Sequence, residues 1–146
     1  MFAFIYIFFI TLFNSDPDLI FGRWKLVELE AIEAIWNSDG YLLADFDMQA
    51  LADQQFQLAL DSTTYEFKRD TLFYTDIDTE ALNMIHRRAI WKLIGDTIYV
   101  REIDRNYNRE YFLRKASQDS LIFSSIINGM VTRSRYIFVR EAKSEG

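Results

Sequence analysis

The sequence predicts a mainly β protein, a single antiparallel up-and-down β-barrel of about eight strands with one helical insert after the first strand. Three observations carry this expectation. Short apolar-rich runs follow one another from Thr63 to Arg140, separated by polar or Gly-containing turns. Those turns are short enough for hairpins, so neighbours in sequence pair antiparallel. One stretch, Asp45–Leu60, departs from the strand period: it is rich in Ala, Leu and Gln and holds no β-branched residue.

In chain order, the alternation begins at Ile20–Glu30, with Gly22, Trp24 and Leu26 on one side and Arg23 and Lys25 on the other. Ala31–Ile35 is ambiguous. Along Asp45–Leu60, the residues Phe46, Ala50, Leu51, Phe56 and Leu60 form one helical stripe, and Asp45 or Asp47 caps the start. Thr63–Lys68 and Leu72–Asp76 then flank a turn at Arg69-Asp70. Met84–Ile94 and Thr97–Ile103 flank Gly95-Asp96, and Arg109–Lys115 follows the polar turn Asp104–Asn108. Leu121–Ile127 and Met130–Arg140 flank Asn128-Gly129, the strongest hairpin signal in the chain, because both residues tolerate positive φ. Closure of these strands into a barrel removes exposed edges; an open meander packed on the helix is the alternative. Parity puts Thr132, Ser134, Tyr136 and Phe138 on one face of the last strand. With Trp91, Leu93, Phe112 and Phe123 they are expected to point inward, giving a polar strip on an apolar wall.

The 146 residues suit one domain, and half of them are apolar, 16% aromatic, with five Gly and one Pro. That is the composition of a packed core, not of a disordered chain. The absence of Cys excludes disulfides, thiolate metal sites, a cysteine nucleophile and the lipid-attachment cysteine of a bacterial lipoprotein. Charge is divided: Asn14–Asn83 carries −11 and Met84–Arg140 carries +6, within a net −6. The two halves are read as complementing each other on folding, so no nucleic-acid partner is expected.

Residues 1–18 form an apolar N-terminal segment and linker, 19–141 the barrel domain, and 142–146 a tail. Phe2–Phe13 is apolar except for Thr11. As a helix it spans about 18 Å at 1.5 Å per residue, short of a ~30 Å hydrocarbon core. That length fits the apolar core of a secretory signal, although no Lys or Arg precedes it. An export signal, an anchor, and a helix buried on the domain or an artefact of the gene model are the readings open here. Membrane association is expected only through this segment.

Candidate chemistry is sparse. His86 is the sole histidine, which excludes a histidine metal cluster, and no Gly-x-Ser-x-Gly elbow accompanies it. Asp76-x-Asp78-x-Glu80 lacks the ligand count and glycine of a calcium loop and reads as a solvated acidic loop. No glycine-rich phosphate loop is present. Tyr99, Arg101, Arg105, Tyr107, Arg109 and Tyr111 interleave bases with rings, as do Arg133 and Arg135 beside Tyr136. This pattern reads as a solvated face rather than a stacking platform. No catalytic residue, metal or cofactor is expected.

Gly22-Arg23-Trp24 at the front of the first strand resembles the Gly-x-Trp signature of lipocalins and calycins. Phe21–Val27 is also similar to the opening of intracellular fatty-acid-binding proteins. Trp91–Ile98 and the terminal Tyr136–Arg140 resemble short lipocalin-like proteins of bacterial envelopes. The resemblance implies a structural signature of Gly22, Trp24 and Arg140; because the first and last strands of an up-and-down barrel meet antiparallel, Arg140 is expected to stack on Trp24 and close the base of the barrel. It implies a non-enzymatic, exported domain of the periplasm or cell envelope that holds a small apolar or amphipathic ligand. Trp91, Phe112, Phe123, Thr132, Ser134, Tyr136 and Phe138 are the candidate ligand-binding residues. A filled barrel that docks a protein partner is the alternative. The Arg-x-Tyr carboxylate pair of fatty-acid-binding proteins is not reproduced, because Ser134 stands two residues before Tyr136.

Overall fold

The computed structural model describes residues 16–78 and 80–141; the expectations for Phe2–Phe13 and the tail lie outside these. A short 3-10 turn, Pro17–Leu19, precedes β1 (Gly22–Leu29). Three helices follow: α1 (Glu30–Trp36), α2 (Asp39–Leu42) and α3 (Phe46–Ser62). The remaining elements are strands: β2 (Thr64–Phe67), β3 (Thr71–Asp78), β4 (Asn83–Ile94), β5 (Thr97–Glu102), β6 (Asn108–Ala116), β7 (Ser120–Ile127), β8 (Met130–Val131) and β9 (Tyr136–Arg140).

Each strand from β1 to β7 pairs antiparallel with the next, and β9 lies between β7 and β1. The sheet therefore closes into an eight-stranded barrel, with β8 as a short extension of the last hairpin. The expected final strand Met130–Arg140 is interrupted. Val131 faces Ile126 and Tyr136 faces Phe123, so the last arm advances five residues while β7 moves three. The break falls at Thr132–Arg135. Two extra residues preserve parity, and Phe138 is fully buried as the alternation required. Asn128 and Gly129 turn the hairpin with φ of 52° and 76°, the mirror-image turn that suits the right-handed strand twist.

Antiparallel order fixes two ends. At the base lie the start of β1 and the end of β9; at the mouth lie Leu29, Thr64, Asp78, Glu102, Asn108 and Ile127. The base is sealed. Arg140 faces Trp24 in register, with its guanidinium 4.2 Å from the indole ring. Its N–H groups donate to the carbonyls of Gln118, Phe21 and Leu19 at 2.6, 2.7 and 3.1 Å, and Trp24 Nε1–H donates to the Ile20 carbonyl at 2.8 Å.

The helices leave and re-enter the barrel at the mouth, because β1 ends there and β2 begins there. Asp45 caps α3, accepting from Met48 N–H at 2.8 Å. Leu60 packs on the core and Phe56 meets Trp36 edge-on at 5.8 Å. The expected stripe is otherwise unused, since Phe46 and Leu51 face solvent. Among the described residues no helix is long and apolar enough to cross a membrane.

Candidate functional site

The lower barrel is filled by rings. Tyr65 contacts Phe67, Tyr74, Phe123 and Phe138 at centroid distances of 5.1–6.3 Å. Phe67 abuts Trp91 at 4.9 Å, and Tyr111 abuts Phe123 at 4.6 Å. Offset and edge-on rings at these spacings pack favourably and leave a floor, not a cavity, beneath the mouth.

Above the floor, strand alternation turns polar side chains inward. Asp76 follows Leu72 and Tyr74, Arg87 precedes Ala89 and Trp91, and Glu102 follows Ile98 and Val100. Glu102 is buried and accepts from the Tyr74 hydroxyl and from Arg105 Nε–H. A second Arg105 contact reaches Glu102 at 2.9 Å. Asp76 lies 3.6 Å from Arg105 and 3.5 Å from Arg87. Asp76 thus corrects the expectation of a solvated acidic loop: it is a strand residue paired inside the mouth. Asp78 instead closes the turn, accepting from the N–H groups of Glu80 and Ala81.

Beside this network, from the neighbouring strand β6 onward, an open cleft of about 450 Å3 lies between the start of β6 and the β7–β8 hairpin. Tyr107, Arg109, Tyr111, Ser125, Ile127 and Tyr136 contribute to its lining. Arg109 and Tyr111 point inward on β6, alternating with exposed Glu110. The Arg109 guanidinium sits 4.8 Å from the Tyr107 ring and 5.6 Å from the Tyr74 ring, and donates to Tyr111 Oη at 3.3 Å. Burial works against its charge, but the Tyr111 oxygen that accepts from it favours the cation, and the guanidinium, with its pKa raised, stays protonated. Burial pushes the Tyr65 and Tyr111 hydroxyls above the ordinary tyrosine value, so both remain neutral donors.

Of the ligand-binding candidates, Tyr136 lines this cleft, its ring stacked 5.3 Å from Phe123. Phe123 and Phe138 lie fully buried in the floor. Trp91 is held near the base by Nε1–H donation to the Lys68 carbonyl at 2.7 Å. Thr132 donates its N–H and its hydroxyl to the Ser125 carbonyl in the break before β9. The Ser134 hydroxyl oxygen is buried without a hydrogen-bond partner among the described residues. Phe112 is a correction. It shares the outer face with Glu110 and Arg114, and the Arg114 guanidinium lies 5.7 Å from its ring. Tyr111 and Leu113 take the inward positions instead.

Arg109 and Tyr111 escaped the sequence reading because an arginine among tyrosines resembles a solvated face. Alternation carried the missing signal: Glu110, Phe112 and Arg114 share one side, and Arg109, Tyr111 and Leu113 the other. Arg133 and Arg135 are exposed as expected, with Arg135 paired to Glu30 at 2.8 Å. His86 is exposed on the outer face of β4.

No family model matches the sequence, and no curated protein matches it. Among solved structures, the chain is similar to a lipocalin-like protein from Bacteroides uniformis, with 14% identity and a TM-score of 0.52. That match covers 84% of this chain and 99% of the other. An uncharacterized protein from Bacteroides eggerthii aligns at 11% identity and a TM-score of 0.49, over 83% and 98% of the two chains. The closed antiparallel barrel and the first of these likenesses point the same way, and the fold of this chain is lipocalin-like.

Proposed function

We propose that this chain is a non-enzymatic binding protein that takes one small amphipathic molecule at the barrel mouth, above the packed aromatic floor. The observation that carries the reading is the open cleft of about 450 Å3, a size within the roughly 300–1,000 Å3 of small-molecule sites. Its lining combines tyrosine rings and Ile127 with a few converging donors, the mix that orients an amphiphile. Export to the bacterial periplasm or envelope is part of the proposal and rests on the apolar Phe2–Phe13 segment. Tyr136→Trp puts a reporter in the cleft. Titration with non-fluorescent alkyl amphiphiles should give a saturable change in indole emission larger than that of the parent chain, whose own indoles are Trp24, Trp36 and Trp91. No response across the panel at high micromolar protein removes the reading.

A second reading, a module that docks a protein partner, is favoured by a separate surface. Leu43 and Phe46 are 85% and 82% exposed at the α2–α3 turn, beside exposed Leu42 and Met48. Residues 37–62 carry five Asp and no Lys or Arg, so a fitting partner segment is apolar and basic. Loss of partner capture in Leu43→Ser/Phe46→Ser, with the cleft response intact, selects this reading.

A further inference from the structure

The geometry points to a ligand with a single anionic group, which Arg109 holds at the mouth; this inference rests on the small-molecule reading above. Charge at the mouth carries the argument. Asp76 and Glu102 answer Arg87 and Arg105, two carboxylates against two guanidiniums. Arg109 is left over: no carboxylate among the described residues pairs with it, and Glu110, which also borders the cleft, projects from the outer face of β6. A guanidinium offers five N–H donors. Here one donates to Tyr111 Oη, while the buried Nε–H meets no acceptor among the described residues. The flanking Tyr107 and Tyr74 rings hold the fork in place through their faces but accept no in-plane hydrogen bond.

A half-buried cation with unused donors is costly unless an anion meets it. A carboxylate or a sulfonate carries one negative charge and presents two oxygens spaced to take two of these donors together. Its apolar part then lies along Tyr136 and Ile127, toward the hairpin and away from the charged wall. Flat or single-chain amphipathic monoanions are therefore the ligand class.

The test compares two fluorescent amphiphiles of like size on the full chain, anionic anilinonaphthalene sulfonate and neutral phenylnaphthylamine. The anionic probe should bind about tenfold tighter or more. Arg109→Gln should abolish that preference, Arg109→Lys should keep part of it, and Arg101→Gln, an exposed arginine outside the lining of this cleft, should change nothing. Should Arg109→Gln fail to fold, raising salt to about 0.5 M on the parent chain must weaken the anionic probe severalfold and spare the neutral one. Displacement by submicellar decanoate marks a free amphiphile as the source of the anion, and displacement only by phosphatidylglycerol vesicles marks a lipid headgroup. Equal binding of the two probes, or an unchanged preference in Arg109→Gln, overturns the anionic class and leaves the mouth site standing. Failure of both probes overturns the two together.

Discussion

Arg140 and Trp24 face each other across the β9–β1 seam, guanidinium over indole at 4.2 Å, and this contact sits where the barrel closes. Arg140 also gathers three carbonyls that belong to no ladder, those of Leu19, Phe21 and Gln118. Removal of the fork loses a cation–π contact of about 0.5–2 kcal/mol and leaves acceptors unmet at about 1–3 kcal/mol where buried. Arg140→Ala should therefore lower unfolding free energy by about 2–4 kcal/mol in urea. Arg140→Lys keeps the charge without the fork and should recover less than half of that. A loss within experimental error for Arg140→Ala rules out a closing role.

Gly22 lies under the same side chain. Its φ is +120°, and a Cβ built there meets Arg140 Nη1 at 2.4 Å. Gly95 also has positive φ, +58°, but its Cβ would meet nothing within 4 Å. Gly95→Ala should cost about 1–2 kcal/mol from backbone strain alone. Gly22→Ala should cost visibly more, because the strain is compounded by displacement of Arg140. Equal losses at the two sites, measured by urea unfolding, contradict this account of the base.

The closing contact was legible in the sequence because it needs only strand order: in an up-and-down barrel the first and last strands must meet. Asn128-Gly129 was legible for an equally local reason, the φ > 0 that its turn demands. The mouth was not. Large side chains stand at both parities of β6, Tyr111 inward and Phe112 outward, and a bulge at Arg114 shifts the register against β7. The break before β9 has no glycine or proline to announce it: Thr132–Arg135 reads as continuous strand. Pairing of Asp76 with Arg87 and Arg105 joins two strands and the β5–β6 loop, and no local pattern encodes that.

Alkaline pH should destabilise the fold through its buried tyrosines. Burial raises the Tyr65 hydroxyl well above the ordinary value of 10.0, and raises Tyr111 as well. In the window above that value the unfolded chain releases protons that the folded chain retains, so unfolding free energy falls as pH rises. Their contribution is complete below pH ~10 and is lost as pH climbs toward the folded values. Urea midpoints should hold steady from neutral pH to about 9 and then drop. Tyr65→Phe should flatten that alkaline slope; an unaltered slope shows that the burial of Tyr65 does not govern it.

Glu102 anchors the charged wall of the mouth, and its neutral isostere separates stability from ligand selection. The side chain is 2% exposed and accepts from both Tyr74 and Arg105. Glu102→Gln retains the shape and one acceptor but leaves Arg105 without its nearer carboxylate, which should cost about 1–3 kcal/mol. Adding Arg105→Gln should return part of the loss, because the two residues act as one unit. At the cleft the sign is opposite. Removing one negative charge leaves the mouth more positive, so the anionic probe should bind Glu102→Gln more tightly than the parent, with the neutral probe unchanged. Weaker anionic binding would mean that Glu102 positions the site through Arg105 rather than balancing its charge. Salt dependence checks the cause, since a gain of electrostatic origin shrinks toward the parent value as ionic strength rises.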